Sequence, residues 1–140
     1  MVMQTSCKKG MEQMDLLQAF EIIVDKAKGS SLGEKFYQEA DPYLGFVSDK
    51  LCISKRASAI ISLFADRCDD NHIQFSDYTD FLDCRILSLL RYSKETEELV
   101  DREYVCRSKD EGLYYCIPME VMEAFQQNQR YPRFRLPPFP

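Results

Sequence analysis

Few side chains in this chain have the types and spacing that catalysis requires. The single histidine, His72, has no obvious nucleophile beside it in the sequence, so a catalytic role for it is disfavoured. The five glycines are isolated and no GxxxxGK motif is present, which argues against a phosphate-binding loop of that kind in this segment. We therefore expect neither a catalytic residue nor a bound cofactor in this chain.

Acidic residues recur, but their spacing favours an exposed structural role. Glu97 and Glu98 are neighbours on a predicted helix and point in different directions, so they do not converge on one metal ion or proton. Asp77, Asp80 and Asp83 are spaced by three and could line one helix face. A solvated acidic face is the simpler interpretation of both groups.

The chain has six cysteines, and their spacing does not indicate a metal site. None forms a CxxC pair, and with one histidine in the chain no two candidates have the spacing of zinc-finger ligands. Several recur with neighbouring apolar residues, where cysteine behaves as a small hydrophobe. We expect reduced, mostly buried thiols and no bound metal. The cysteines are Cys7, Cys52, Cys68, Cys84, Cys106 and Cys116.

The composition is that of an ordinary soluble globular domain. Of the 140 residues, 45% are hydrophobic and 29% are charged, and the formal net charge is −5. The longest apolar runs, such as residues 57–65, are too short to span a bilayer. The N-terminal residues lack the apolar core of a signal peptide, which favours a cytoplasmic location.

Hydrophobic patterning divides the chain into four predicted segments. Residues 1–10 have no period and are expected to be disordered. Residues 11–52 form an N-terminal helical region, and residues 53–128 form a winged helix-turn-helix domain. Residues 129–140 contain four prolines and are expected to be a linker or tail, as in a chain that continues into another domain.

The N-terminal region is predicted to contain three helices. Apolar residues recur at helical spacing over residues 11–28, and Gly29 ends that pattern. A second helix is predicted over residues 32–40. The Asp41-Pro42 pair then breaks the run and can start the next helix, because proline suits a first helical turn. This third, short helix is predicted to end near Cys52.

The order of elements after Cys52 is that of a winged helix-turn-helix. Ser54 is predicted to cap a helix over residues 55–68, whose inward face includes Cys68. A helix beginning at Ser76 and a turn at residues 82–84 follow. The next helix is predicted to run without interruption over residues 85–101, and its apolar face includes Ile86, Leu89, Leu90, Ser93, Thr96, Leu99 and Val100.

Two runs rich in β-branched and aromatic residues then predict the wing. They cover residues 104–108 and 113–117 and flank a polar turn that ends at Gly112. Residues 72–75 could add a short third strand, and a last helix is predicted over residues 119–128. The expected fold class is mainly α with a small antiparallel sheet, a winged helix-turn-helix preceded by extra N-terminal helices.

Charge decides how this motif is interpreted. Residues 54–128 contain nine lysines and arginines against fifteen aspartates and glutamates, and an acidic surround repels phosphate. DNA binding is therefore possible but disfavoured, and the same helix and wing could contact a protein. The candidate contacts to DNA or to a partner are Arg85, Ser88, Arg91 and Lys94 of the helix over residues 85–101, and Lys109 of the wing.

Several stretches resemble the N-terminal region of a group of bacterial AAA-type ATPases. They are LCISKRASAIISLF (51–64), IQFSDYTDFLDC (73–84), ILSLLRY (86–92), ELVDREYV (98–105) and YCIPMEVMEAF (115–125). In those proteins a helical and winged-helix segment precedes the ATPase module. The resemblance covers roughly residues 43–128 and consists mainly of apolar patterns.

The resemblance implies that ATP hydrolysis belongs to a module downstream of Pro140. ATP and magnesium would bind only there, and no nucleotide-binding residue can be assigned within this chain. The function we expect is a non-catalytic interaction or regulatory domain that docks a protein partner or its own ATPase module. The alternative is a DNA-binding winged-helix transcription regulator. The sequence identifies neither the partner nor the oligomeric state.

Overall fold

Helices account for most of the fold, with one small antiparallel sheet near its C-terminal end. The structure is a computed structural model that describes residues 14–108 and 114–131. The expected fold class, mainly α with a small sheet, is confirmed. The elements are α1 (Leu16–Ala27), α2 (Glu34–Leu51), α3 (Lys55–Ala65), a 3-10 turn (Phe75–Tyr78), α4 (Thr79–Leu82), α5 (Ile86–Leu90), α6 (Ser93–Asp101), β1 (Cys106–Ser108), β2 (Tyr114–Cys116) and α7 (Met119–Gln126).

The start of α1 is fixed by a reciprocal cap. The Asp15 side chain accepts from the backbone N–H of Gln18 at 2.9 Å, and the Gln18 side chain accepts from the N–H of Asp15 at 3.1 Å. The N–H of Leu16 donates to the Asn128 side chain at 3.0 Å, which ties α1 to the end of α7. Residues 11–13 of the helix predicted over 11–28 lie outside the described part of the chain.

The predicted break at Asp41-Pro42 is wrong, because α2 continues through it. Pro42 lies inside an 18-residue helix that runs to Leu51. A proline removes one helical hydrogen bond, which normally disfavours this position. The buried row on α2 continues at helical spacing on both sides of Pro42, and this packing keeps the two halves as one helix. The row consists of Phe36, Ala40, Leu44, Val47 and Leu51.

Helix α3 lies at the centre of the fold. The Ser54 side chain caps it as predicted, by accepting from the N–H of Ala57 at 3.1 Å. Every residue from Ala57 to Phe64 is buried, so the helix is enclosed on all sides rather than on one face. Ser58 and Ser62 satisfy their hydroxyls by donating to carbonyls one turn back. The helix ends at Ala65, three residues before the predicted end.

The helix predicted to begin at Ser76 instead begins with a 3-10 turn at Phe75. Its start is supported by Asp77, whose carboxylate accepts from the N–H of Gln74 at 2.9 Å. Asp83 ends α4 in the left-handed conformation with φ of 61°, so the turn predicted at residues 82–84 is present.

The loop between α1 and α2 holds this turn in place. The N–H of Gly29 donates to the Phe81 carbonyl at 2.8 Å, and the N–H of Ser31 donates to the Leu82 carbonyl at 2.7 Å. These carbonyls end α4 and have no partner within so short a helix. Gly29 has φ of +66°, a conformation that glycine adopts without steric cost.

The uninterrupted helix predicted over residues 85–101 is wrong. The structure has two helices, α5 and α6, with a break at Arg91 and Tyr92, and α2 is longer than either. Tyr92 turns inward and is almost fully buried. Its hydroxyl lies 2.5 Å from the hydroxyl of Tyr37 on α2, and the Arg56 guanidinium lies 4.3 Å from the centre of its ring.

Glu95 completes this cluster on the first turn of α6. Its carboxylate accepts from Arg56 Nε at 3.0 Å, and the residue is only 9% exposed. We call Tyr37, Arg56, Tyr92 and Glu95 the tyrosine cluster. It fixes the start of α6 to both α2 and α3, and burial together with the Tyr92 hydroxyl raises the pKa of Tyr37.

The wing pairs β1 with β2 in antiparallel register, as predicted within the described residues. Arg107 lies opposite Tyr115, and Tyr115 exchanges two backbone hydrogen bonds with Ile73, which acts as the predicted third strand for a single residue. Tyr115 is buried and Tyr114 is half-buried on the other side, as the strand period requires. Arg107 also pairs with Glu97, so the wing is attached to α6.

One hydrophobic core joins the two predicted units. The Phe64 ring of α3 packs on Phe75, Tyr78 and Tyr115, and Phe20 of α1 meets Phe125 of α7 edge to face. Buried tyrosines also satisfy helix ends, since Tyr104 donates to the Leu51 carbonyl at 2.8 Å. Residues from both the 11–52 and the 53–128 segments therefore belong to the same core.

No disulfide joins the five cysteines in the described part of the chain, and the expectation that most are buried is wrong. Cys52, Cys68 and Cys106 are exposed, and Cys84 and Cys116 are half-buried. Cys68 misses the core because α3 ends before it. Across residues 14–108 and 114–131, no helix combines the length and the hydropathy that a membrane span needs.

The tyrosine cluster makes a stability prediction. Replacing Tyr37 with Phe leaves the buried Tyr92 hydroxyl without its partner, so we expect the free energy of unfolding to fall by about 1–2 kcal/mol. Tyr43→Phe, on the same helix, is the matched control and should change it by less than about 0.5 kcal/mol. Urea denaturation followed by circular dichroism measures both. Equal effects of the two substitutions would contradict the assigned role.

Candidate interaction surface

The most unusual part of the surface is α5. Its residues are Ile86, Leu87, Ser88, Leu89 and Leu90, and Leu89 alone among them is buried. Leu87 is 65% exposed, Leu90 is 53% exposed and Ile86 is 39% exposed. Isolated exposed apolar residues are common, but three on a five-residue helix form a patch that indicates an interaction site.

The local fold explains why these side chains face outward. Leu82 before the turn, Leu89 within α5 and Tyr92 after it are all buried. These three anchors fix the path of the segment, and five residues of helix advance the chain only about 7.5 Å. The remaining apolar residues of α5 therefore have no room in the core and project from it.

Basic residues surround the apolar patch. Arg85 precedes α5, Arg91 follows it and Lys94 lies in the first turn of α6, and all three are exposed. Residues 85–94 contain these three cations and no acidic residue, although the chain as a whole has a net charge of −5. We call the exposed side chains of Arg85, Ile86, Leu87, Leu90, Arg91 and Lys94 the α5 surface.

The predicted contact residues are thus close in sequence but do not lie on one helix. Arg85, Ser88, Arg91 and Lys94 were expected as a strip at a spacing of three, and the break at Tyr92 separates Lys94 from the others. Within the described part of the chain, none of the four side chains forms an ion pair. Lys109 lies outside the described residues.

The three glutamates of α6 have structural partners. Glu97 pairs with Arg107 of the wing, and Glu98 accepts from both the N–H and the hydroxyl of Ser54 at 2.8 and 2.9 Å. Together with the Glu95 pair, these contacts connect α6 to α3 and β1. Glu97 is exposed and Glu98 is half-buried, in keeping with the expected solvated face, and each carboxylate also holds a neighbouring element.

Sequence reasoning missed the inward direction of Tyr92 and the outward direction of Ile86 and Leu90. The signal was present, since Leu89, Tyr92, Thr96 and Leu99 recur at alternate spacings of three and four and are the buried set. The predicted set was built on Ile86 and Leu90. Two helical patterns overlap in this segment, one that buries Leu89 and Tyr92 and one that would bury Ile86 and Leu90. The packing of α6 on α3 determines which of the two is buried.

A separate cleft lies between α1, the end of α3 and α7. Its volume of about 300 Å³ is at the lower limit of small-molecule sites. Burial raises the pKa of the Asp66 carboxyl at its edge, and the only other carboxylate that lines it is Glu21. Across the described ranges, no three His, Cys, Asp or Glu side chains are grouped to hold a metal ion. The full lining is Leu17, Phe20, Glu21, Val24, Ala65, Asp66, Cys68, Met122 and Gln126.

Comparison with known proteins identifies no relative of this chain. No family model, curated protein or solved structure matches it. The resemblance to AAA-type ATPases therefore stays a prediction from sequence patterns, and the α5 surface has to be interpreted from its own chemistry.

Proposed function

We propose that this chain is a non-catalytic interaction domain that docks an acidic, partly apolar protein segment on the α5 surface. The observation that carries the proposal is the exposure of Leu87 and Leu90 within a stretch that has only positive charges. A partner that buries the two leucines gains about 1–2 kcal/mol from each. Arg85, Arg91 and Lys94 would select partners with carboxylates around that contact.

The composition of α5 favours a protein over DNA as the partner. Base edges are recognised mainly by hydrogen-bonding side chains, and Ser88 alone in α5 offers one. Leucines packed against a polar groove would also remove water from the hydrogen-bonding groups of the groove without offering them a partner. The runner-up function, a DNA-binding winged-helix regulator, would have to rely on the basic residues beside α5.

The wider role we propose is that of an N-terminal domain in a cytoplasmic AAA-type ATPase. The docked segment would then belong to a separate protein or to the ATPase module of the same polypeptide. Reading the gene past the codon for Pro140 tests this part. An open frame with GxxxxGK[ST] after a predicted strand supports the ATPase, and a stop codon contradicts it. The docking proposal for α5 survives either result.

Substitution on the α5 surface tests the docking site itself. The double variant Leu87→Glu, Leu90→Glu should retain the fold, because neither side chain is in the core. It should weaken partner binding at least about tenfold, since it removes apolar contact and repels an acidic segment. Titration of the purified ATPase module, or of a partner recovered by affinity capture, gives the dissociation constant.

The control makes the same kind of substitution, a single glutamate, at an exposed apolar residue away from α5. Met119 is 75% exposed and lies at the start of α7, so Met119→Glu should bind the partner like the unaltered domain. Circular dichroism verifies that each variant is folded. If the double variant binds as tightly as the control, the α5 surface is not the docking site.

DNA binding gives a separate prediction. With mixed-sequence duplex DNA at low salt, we expect fluorescence anisotropy to show no submicromolar binding, because the domain is acidic apart from the α5 surface. Salt-sensitive submicromolar binding that is lost in Arg85→Ala and Arg91→Ala variants would favour the transcription regulator instead. Binding that these substitutions leave unchanged would place a DNA contact elsewhere on the domain.

A further inference from the structure

The wing places two cysteines directly opposite each other. Cys106 of β1 is paired in register with Cys116 of β2. Cys106 is exposed and Cys116 is half-buried. Unlike the other cysteines that the structure describes, these two face one another across a sheet.

The register of the sheet defines the kind of pair they form. Tyr115 exchanges its backbone hydrogen bonds with Ile73, on the side of β2 that faces away from β1. Backbone groups of successive strand residues point to opposite edges, so those of Cys116 are directed at β1. Cys106 and Cys116 are therefore a hydrogen-bonded pair, for which the Cα atoms lie about 5.5 Å apart.

That separation is within the range that a disulfide can bridge. Bridged cysteines have Cα atoms about 4.4–6.8 Å apart, with Cβ atoms about 3.5–4.5 Å apart. Opposite Cβ atoms in a sheet lie about 4.5–5.5 Å apart, so the strands must move slightly closer when the bond forms. A bridge that draws the strands together is more easily reduced than a relaxed structural disulfide.

We propose that Cys106 and Cys116 are a reversible disulfide site of the wing, oxidised by a small disulfide such as oxidised glutathione. The Cys106 thiolate attacks one glutathione sulfur, the S–S bond breaks and a glutathione thiolate leaves. The Cys116 thiolate then attacks the Cys106 sulfur and expels the second glutathione thiolate. Two protein thiols are oxidised, one oxidised glutathione is reduced, and the two thiol protons end on two molecules of glutathione.

The surroundings of the two thiols set the order of attack. Burial, and the neighbouring Cys106, raise the pKa of the Cys116 thiol, which leaves it less thiolate at neutral pH. Cys106 is exposed and within reach of a solute. The mixed disulfide therefore forms first on Cys106, and Cys116 resolves it from the adjacent strand.

Peptide mapping tests the bridge directly. The folded protein is incubated with excess oxidised glutathione, its remaining thiols are alkylated, and it is digested with trypsin without reductant. Trypsin cleaves after Arg102, Arg107, Lys109 and Arg130, so the two cysteines fall on separate peptides, residues 103–107 and 110–130. We expect a linked species of these two peptides that dithiothreitol separates.

Serine variants distinguish the two cysteines. In Cys116→Ser the reaction should stop at glutathione attached to Cys106, because the resolving thiol is missing. In Cys106→Ser the half-buried Cys116 should react several-fold more slowly than Cys106 does in the unaltered protein. Cys68→Ser removes an exposed cysteine outside the wing and is the matched control, in which the linked peptides should form as in the unaltered protein.

Three results would overturn the proposal. The first is recovery of both peptides unlinked while the protein is folded, whether the thiols are free or carry glutathione. The second is linkage of Cys106 or Cys116 mainly to another cysteine. The third is a linked fraction no higher in folded protein than in urea-denatured protein, since the pairing would then not depend on the sheet.

Discussion

The burial of eight consecutive residues of α3 is the constraint on which the rest of this fold depends. A helix that is buried from Ala57 through Phe64 must be covered on every side, and the other elements are arranged to cover it. Helices α1 and α2 pack on part of it, α6 packs on another part, and Phe75, Tyr78 and Tyr115 cover its C-terminal end. The N-terminal helices are thus as much a part of the core as the winged unit.

The position of α5 follows from how α6 is attached. Tyr92 and Glu95 fix the start of α6 to Tyr37 and Arg56, and Glu98 fixes it further to Ser54 at the cap of α3. The chain before Tyr92 must then reach back to Leu82 within a few residues. It does so as the short helix α5, in which Leu89 is buried. The other apolar side chains of α5 are exposed as a result.

The local signals in the sequence predicted much of this fold, and the failures have physical reasons. The Ser54 cap, the wing pairing and the opposite directions of Tyr114 and Tyr115 follow from side-chain chemistry or strand geometry within a few residues. The continuation of α2 through Pro42 does not, because packing of residues far apart in sequence outweighs the local preference. The break at Tyr92 is similar, since its partners Tyr37 and Arg56 come from two earlier helices. The basic residues of the candidate site were identified from sequence, whereas the exposed Ile86 and Leu90 between them were assigned to the apolar face.

The separation between the buried anchor residues in and around α5 and the exposed residues of the α5 surface also has an evolutionary consequence. Leu82, Leu89 and Tyr92 maintain the fold, while Arg85, Ile86, Leu87 and Leu90 make little contribution to the core. Substitutions at the second set can therefore accumulate with little loss of stability, and each changes what the surface can bind. Descendants of one ancestral domain can diverge in partner choice while they retain the same scaffold. In an alignment of relatives, such divergence would appear as three constant apolar positions separated by variable ones.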